Sequence, residues 1–335
     1  MTADPVWLPA DGPYFEDLSV GDRFTDAPSL TLTAGHAAVH QAVLGDRLRL
    51  CLDQDLSLRV TGEAEPLLHP ALVWDVAIGQ SSEVTRNVVA NLFYRGLVFS
   101  RFPHQGDTLT TQIEVVALRQ NRSREGRPST GLAVLRIRTF DQLRRPVLDF
   151  LRCAMLRLRN DVATGQGDDL DQIGNGAGGD DGRGAIAAWA LDLIQPPTRG
   201  MTFSSLNVGQ RFEMDGADVV SAAPELARLT LNIARVHHDG GEGGSERLVY
   251  GGHTIGLALS QATRMLPSIV TVTAWQGCDH LAPVWEGAKL RSTLTVLDKR
   301  ASRGGSGLIW LRSEVRAGDA GEKPVLDWRF AALVV

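Results

Sequence analysis

The sequence predicts an α+β protein built as two copies of one unit, each a curved antiparallel sheet wrapped around a central helix. Three observations carry this expectation: an internal repeat, an apolar helical run ahead of the strands, and period-2 alternation within the strands.

The repeat is direct. Phe15-Glu16-Asp17-Leu18-Ser19-Val20-Gly21-Asp22-Arg23-Phe24 returns as Phe203-Ser204-Ser205-Leu206-Asn207-Val208-Gly209-Gln210-Arg211-Phe212, an offset of 203 − 15 = 188 residues. Pro146-Val147-Leu148-Asp149-Phe150 returns as Pro324-Val325-Leu326-Asp327-Trp328, an offset of 324 − 146 = 178. Between them, Gly106-Asp107-Thr108-Leu109 matches Gly287-Ala288-Lys289-Leu290. Three matches in unchanged order, drifting by only 188 − 178 = 10 residues, mark a tandem duplication. The halves are residues 1–160 and 201–335. Residues 161–200 join them, and the Gly- and Asp-rich stretch Gly174 to Gly182 is too poor in apolar groups to offset its ordering entropy, so it reads as a flexible linker. Ala185 to Ile194 reads as a short helix stopped by Pro196-Pro197.

Within the second half, Ile255, Ala258, Leu259 and Ala262 fall at i, i+3, i+4 and i+7, the buried face of a helix that opens at Gly251-Gly252. Leu290, Ser292, Leu294 and Val296 then alternate with Lys289, Arg291, Thr293 and Thr295, as a half-buried strand requires. Leu109, Thr111, Ile113 and Val115 repeat the pattern in the first half.

Composition narrows the function. The 335 residues, 43% hydrophobic and 22% charged, suffice for two packed domains. The net charge is −5 and no Lys/Arg block is present, which argues against nucleic acid. Cys51, Cys153 and Cys278 are odd in number and widely spaced, as expected of a reducing cytosol. The acidic, Pro-broken N-terminus does not read as a signal peptide, and no apolar run approaches the roughly 20 residues of a membrane span. A soluble cytoplasmic protein is expected. No Gly-x-Gly-x-x-Gly follows a strand, no Gly-Lys-Ser/Thr loop occurs, and the Gly-rich linker is too acidic to cradle phosphate, so neither NAD nor ATP, nor any other cofactor, is expected.

The chemistry concentrates in Asn232-Ile233-Ala234-Arg235-Val236-His237-His238-Asp239 and, beyond a Gly-rich loop, Leu248-Val249-Tyr250-Gly251-Gly252-His253. On one continuous helix Asn232 and His237 would lie about 140° apart, so they converge only if the helix ends between them. Otherwise Asn232 caps the helix and His237 is a loop histidine. At the 188-residue offset the first copy carries Leu44 and Arg49 instead, which suggests one functional site per fused pair. Adjacent His237 and His238 point apart and find no fourth ligand at a suitable spacing, so no metal is expected.

The openings FEDLSVGDRF and FSSLNVGQRF resemble the start of MaoC-type dehydratases, hotdog-fold hydratases of enoyl-CoA thioesters. In that family an Asp-x-Asn-Pro-x-His stretch ahead of the central helix supplies the catalytic Asp and His. Asn232 and His237 match its first and last positions, whereas Ala234 and Arg235 replace Asn and Pro, and an amide at 232 is no general base. The longer pattern NIARVHHD…RLVYGGH, with LRQN at 118–121 and PVLDF at 146–150, looks most like the mesaconyl-CoA hydratase (beta-methylmalyl-CoA dehydratase) branch.

The resemblance implies a double hotdog and a hydro-lyase acting on an acyl-CoA, of mesaconyl-CoA type. His237 would be the acid/base, Asn232 would hold water or orient the imidazole, and the N–H of Gly252 would stabilise the enolate. Asp239 or Glu242 would stand in for the missing carboxylate, or be solvated loop residues. Arg235 would bind a substrate carboxylate, or form a surface ion pair. Tyr250, Gly251, His253 and His280 would contact substrate, with His253 alternatively capping the turn. Two other functions stay open: a hotdog thioesterase, disfavoured because the helix after Gly251 has no carboxylate in its first turns, and a non-catalytic acyl-CoA-binding protein. The fused pair would act as an intramolecular pseudo-dimer or pair again as a homodimer.

Overall fold

The computed structural model describes residues 11–123, 125–174, 179–239, 247–319 and 322–335. The first half opens with short strands β1 (Arg23–Phe24) and β2 (Leu30–Thr31), then helices α1 (Ala34–Leu44), α2 (Arg49–Leu52), α3 (Gln54–Thr61) and α4 (Pro70–Gln80). Four long strands follow: β3 (Val88–Phe99), β4 (Thr108–Gln120), β5 (Thr130–Phe140) and β6 (Pro146–Arg157). The second half repeats the plan with β7 (Arg211–Glu213), β8 (Asp218–Val219), α5 (Ala223–Leu229), α6 (Gly251–Met265), β9 (Ile269–His280), β10 (Lys289–Ala301), β11 (Gly307–Ala317) and β12 (Lys323–Val334).

The strands form one antiparallel sheet in the order β1-β4-β5-β6-β3-β9-β12-β11-β10-β7, with β2 on β4 and β8 on β10. The two halves meet edge to edge at β3 and β9, where Phe93 faces Asp279 and Tyr94 faces Cys278. Arg95 pairs with Asp279 across this seam at 2.6 Å. The expected alternation is present: Leu109, Thr111, Ile113 and Val115 on β4, and Leu290, Ser292, Leu294 and Val296 on β10, all point inward and are buried. The repeated glycines explain themselves. Gly21 and Gly209 both take a positive φ, 94° and 85°, and each donates its N–H across the sheet, to Val115 and Val296, at 2.8 Å.

Each half of the sheet wraps a central helix, α4 or α6. All of α4 is buried, because PALVWDVAIGQ is apolar on nearly every side. Pro70 occupies its first turn, where a missing N–H costs nothing, and His69 Nδ1 accepts the Ala71 N–H at 3.0 Å. On α6, residues Gly252 to Thr263 are buried. The two helices pack against each other, and small residues permit close approach at their flanks. A Cβ on Gly79 would overlap the Thr230 carbonyl, and one on Gly256 would overlap Leu44. One apolar core runs through both halves.

The joining residues lie against this body where they are described. Leu118 N–H donates to Asp168 Oδ2 at 2.8 Å, and Thr273 Oγ1 to the Asp181 carbonyl at 2.7 Å. Ile186 and Ile194 are buried, and Trp189 packs on Phe102 with centroids 5.2 Å apart. In place of the single helix expected over Ala185–Ile194 there are two 3-10 turns, Arg183–Ile186 and Leu191–Leu193. Residues 175–178, within the stretch expected to be flexible, lie outside the described residues.

Candidate active site at the start of the second central helix

A cavity of about 370 Å³ opens where α6 begins, and both halves line it. From the second half come His237, Leu248 to Gly251, Thr254 and His280 to Trp285. From the first half come Val88 to Leu92, Tyr94 and Arg152. Val88, Val249, Ala282 and Val284 make much of the wall apolar, and the polar groups converge on the start of α6. Such a cavity, apolar with a few placed polar groups, is the usual form of a small-molecule site.

The chain reaches it through a broken helix. α5 ends at Leu229, Leu231 takes a positive φ of 59°, and a 3-10 turn, Arg235–His237, then carries His237 inward. The His237 ring is 8% exposed. Its Nδ1 lies 2.9 Å from the Leu248 carbonyl, which can only accept, so Nδ1 carries the proton and Nε2 keeps its lone pair. Burial holds the imidazole down at about 4, and the Arg152 charge adds to that against the pull of the Leu248 bond. At neutral pH it is a neutral base. His280 is also held at about 4, by burial and then by Arg152, and its Nε2 has no hydrogen-bond partner. The Tyr94 ring stands edge-on to His280 at 5.9 Å, and burial pushes its phenol up, so it remains a donor.

Gly251 and Gly252 open α6, where the first N–H groups of a helix have no intrahelical acceptor and carry partial positive charge. Both positions need glycine. A Cβ on Gly251 would sit 2.9 Å from His280 Nε2, and one on Gly252 would overlap Asp75 Oδ1.

Four of the residues anticipated from sequence therefore share the cavity: His237, Tyr250, Gly251 and His280. The other four do not line it. Asn232 is buried, but its Oδ1 accepts the Ala234 N–H at 3.0 Å, so it holds the turn that follows α5 rather than capping that helix. The Arg235 side chain is 70% exposed and sits 3.7 Å from Asp239, so the surface ion pair is what the structure shows rather than a group inside the cavity. Gly252 packs its Cα face on α4. His253 points into the core, where burial holds it at about 4. Glu242 lies outside the described residues. Among the described residues no Asp or Glu lines the cavity, and no group of three or more His, Cys, Asp or Glu converges to hold a metal ion.

Sequence reasoning missed the contribution of the first half. Arg152 and Tyr94 are cross-strand neighbours on β6 and β3. Arg152 is 4% exposed, and it donates from Nε to Asn91 Oδ1 at 2.8 Å and from Nη1 to Ser81 Oγ at 2.6 Å. The signal was present: Leu148, Phe150, Arg152, Ala154 and Leu156 form one inward-facing row, and an arginine in such a row needs a reason. Asp75 was missed too. It stands on α4, against the start of α6, so the carboxylate absent from the first turns of α6 is supplied nearby by the other central helix.

Outside the mouth, two grooves adjoin the cavity at Val88 and Val89. Arg86, Arg122, Arg127 and Arg157 lie along them, and none makes an ion pair among the described residues.

The second pseudo-equivalent position is filled. At the offset 287 − 106 = 181 residues, Tyr94 corresponds to Trp275 and His280 to Phe99; at 178, Arg152 corresponds to Phe330. The strand register agrees, since Tyr94 pairs with Arg152 and Trp275 with Phe330. Trp74, Trp275 and Trp328 pack edge to face there, with Phe330 stacked on Trp328 at 3.8 Å. Gly251 is matched by Pro70, which has no N–H to offer.

No protein-family model matches the chain. Rv0216 of Mycobacterium tuberculosis, a conserved protein with a double hotdog fold, is 51% identical and superimposes with a TM-score of 0.90 over 98% of this chain and 100% of that one. A MaoC domain protein from Chloroflexus aurantiacus shares the fold at a TM-score of 0.82 and 24% identity, over 98% of this chain and 99% of that one. By sequence, the beta-methylmalyl-CoA dehydratase of Chloroflexus aurantiacus is 27% identical, over 95% of this chain and 91% of that protein. The mesaconyl-CoA hydratase of Cereibacter sphaeroides is 26% identical, over 93% and 91%. With the repeat, the two wrapped helices and the shared sheet, these similarities confirm the expected α+β fold: the chain belongs with the double-hotdog proteins and is similar over nearly its whole length to a beta-methylmalyl-CoA dehydratase and a mesaconyl-CoA hydratase.

Proposed function

We propose that the protein is a hydro-lyase that adds water to, or removes it from, an α,β-unsaturated acyl-CoA thioester. The observation that carries this reading is a neutral His237, its tautomer fixed by the Leu248 carbonyl, on one cavity with the N-terminus of α6. In the hydration direction His237 Nε2 takes a proton from water as its oxygen bonds to the β-carbon. The C=C electron pair moves toward the thioester carbonyl, giving an enolate, and the N–H groups at Gly251 and Gly252 oppose that charge. The imidazolium then returns its proton to the α-carbon, and His237 is neutral again. With no carboxylate among the described cavity residues, His237 serves as both base and acid. Gly252 contributes through its backbone N–H alone, its Cα face being packed on α4, and Asn232 acts one step back, by holding the turn that delivers His237. Arg86, Arg122, Arg127 and Arg157 outside the mouth suit the phosphates of CoA.

The unpaired cysteines fit a reducing compartment, and we place the reaction in the cytoplasm. Because both halves line the cavity, the fused chain supplies its own pseudo-dimer.

The test is mass spectrometry of the purified protein incubated with mesaconyl-CoA, the acyl-CoA of the relative from Cereibacter sphaeroides, and with crotonyl-CoA. Gain of one water by wild type, reduced at least about 100-fold in His237→Ala, is the expected result. Release of free CoA without hydration would replace this reading with a thioesterase. Ligand affinity without turnover in either form would replace it with a binding protein.

A further inference from the structure

Hydration of a simple enoyl thioester gives Arg152 nothing to do. Its guanidinium lies in the cavity wall, 4% exposed, and its hydrogen-bond partners Asn91 and Ser81 are both neutral. No carboxylate among the described residues forms an ion pair with it. Burying a cation without a counter-charge is costly, and a fold keeps such a group where something else supplies the charge. The two bonds, through Nε and Nη1, fix the plane of the guanidinium and leave Nη2 without a protein acceptor among the described residues. That presents a planar donor edge, the geometry that a carboxylate matches with two parallel hydrogen bonds. The opposite unit has Phe330 at this position, packed into its aromatic cluster, so the sheet itself does not require an arginine here.

We propose that Arg152 binds a carboxylate on the acyl group of the substrate and thereby selects carboxylated acyl-CoA thioesters over uncharged ones of the same length. This rests on the hydratase reading of the cavity and names the substrate class it serves. The phosphates of the carrier are a poor match for this position, since arginines outside the mouth are available to them. The thioester oxygen is placed instead by the N-terminus of α6, so Arg152 acts at the far end of the acyl group. It takes over the role that sequence reasoning gave to Arg235, which lies outside on the surface.

The experiment measures binding of two saturated, unreactive probes, succinyl-CoA and butyryl-CoA, by calorimetry. These differ only in a terminal carboxylate. Wild type is expected to bind succinyl-CoA about 10- to 100-fold more tightly, the range of a charge-assisted hydrogen-bonded pair. In Arg152→Gln this preference should vanish while butyryl-CoA affinity changes by less than about 3-fold. Arg152→Lys, which keeps the charge and loses the fork, should retain a reduced preference, and it serves if the glutamine variant does not fold. His237→Ala should retain the full preference. Equal binding of the two probes by wild type, or a preference that survives in Arg152→Gln, would overturn the proposal. An equal loss for both probes in Arg152→Gln would also overturn it, and would move Arg152 to the thioester or to the framework. Because no turnover is read, a failed hydration assay beside an Arg152-dependent preference would sink the hydratase reading alone.

Discussion

Acidification gives the sharpest test of His237. Burial holds its imidazole at about 4, against an ordinary 6.5. That gap of 6.5 − 4 = 2.5 pH units corresponds to about 3 kcal/mol in favour of the neutral ring, at roughly 1.4 kcal/mol per unit. At pH 7 only about one molecule in a thousand carries the proton, where an ordinary histidine would carry it in about one in four. A neutral Nε2 is what water activation needs, so log(kcat/KM) for hydration should be flat from about pH 5 to 8. Below that it should fall with unit slope and a midpoint near 4. The assay is the loss of enoyl-thioester absorbance at low substrate concentration. A control is needed, because His253 and His280 are also held at about 4 and His40 well below 6.5. The sign is plain. Each of these groups is depressed in the folded state, so its contribution to stability is whole above 6.5 and is lost as pH falls through 4. Enzyme held at each low pH must therefore regain full activity at pH 7. A midpoint near 6.5 with full recovery would refute the assignment of a desolvated, neutral His237 as the base.

Two further predictions concern the contact between the central helices. Gly252→Ala drives a Cβ into Asp75 Oδ1, and it should lower stability by about 1–3 kcal/mol in urea unfolding; an unchanged midpoint would show that α4 and α6 yield freely there. Asp75 is fully buried, and burial pushes its carboxyl well above the carboxylate range. His40 Nε2 stands 3.6 Å away and is itself held well below its ordinary value by burial, so burial disfavours the charged form of both groups. The folded chain thus keeps a proton that the unfolded chain releases above about 3.8, and stability falls as pH rises past that value. Asp75→Asn removes this penalty and should be more stable than wild type at pH 8, with the difference closing toward pH 4; a less stable variant at pH 8 would show that the ionised carboxylate is held by a partner.

How much was legible depended on whether a feature leaves a pattern along the chain. The duplication was plain because the turn at Gly21 and Gly209 needs a positive φ, and the same residues therefore recur around it. The strands on Leu109 and Leu290 were plain because one face is buried and one is not. His237 could be found because it lies beside the helix whose start it faces. Arg152, Tyr94 and Asp75 could not be found by proximity, since the strand pairing of β3 with β9 and the packing of α4 on α6 bring them to a histidine at least 237 − 152 = 85 residues away in sequence. Asn232 misled for a related reason. Its position in a short motif points to chemistry, but its carbonyl accepts from His238 Nε2 at 2.7 Å and its Oδ1 from Ala234, so both its oxygens are spent on the turn. Arg235 misled because exposure is not written into a four-residue interval.

The asymmetry between the halves follows from the duplication. A pair of identical units joined edge to edge would hold two equivalent cavities, each with a helix start from one unit and strand residues from the other. Fusion lets the two diverge. At one position Tyr94, Arg152 and His280 surround a glycine helix start. At the other, Trp275, Phe330 and Phe99 surround Pro70, which lacks the N–H an enolate would need. Filling the second position with aromatic rings buries a large apolar area in the middle of the molecule, at about 25 cal/mol per Å². That stabilisation is set against an uncompensated guanidinium and an Asp75 carboxyl that burial pushes well above the carboxylate range, both of which weaken the fold at neutral pH. Polar groups that cost stability gather toward the open site and the helix contact behind it, while the rings that supply stability gather at the closed one. A symmetric dimer could not separate the two demands, because any residue placed for one would appear in both.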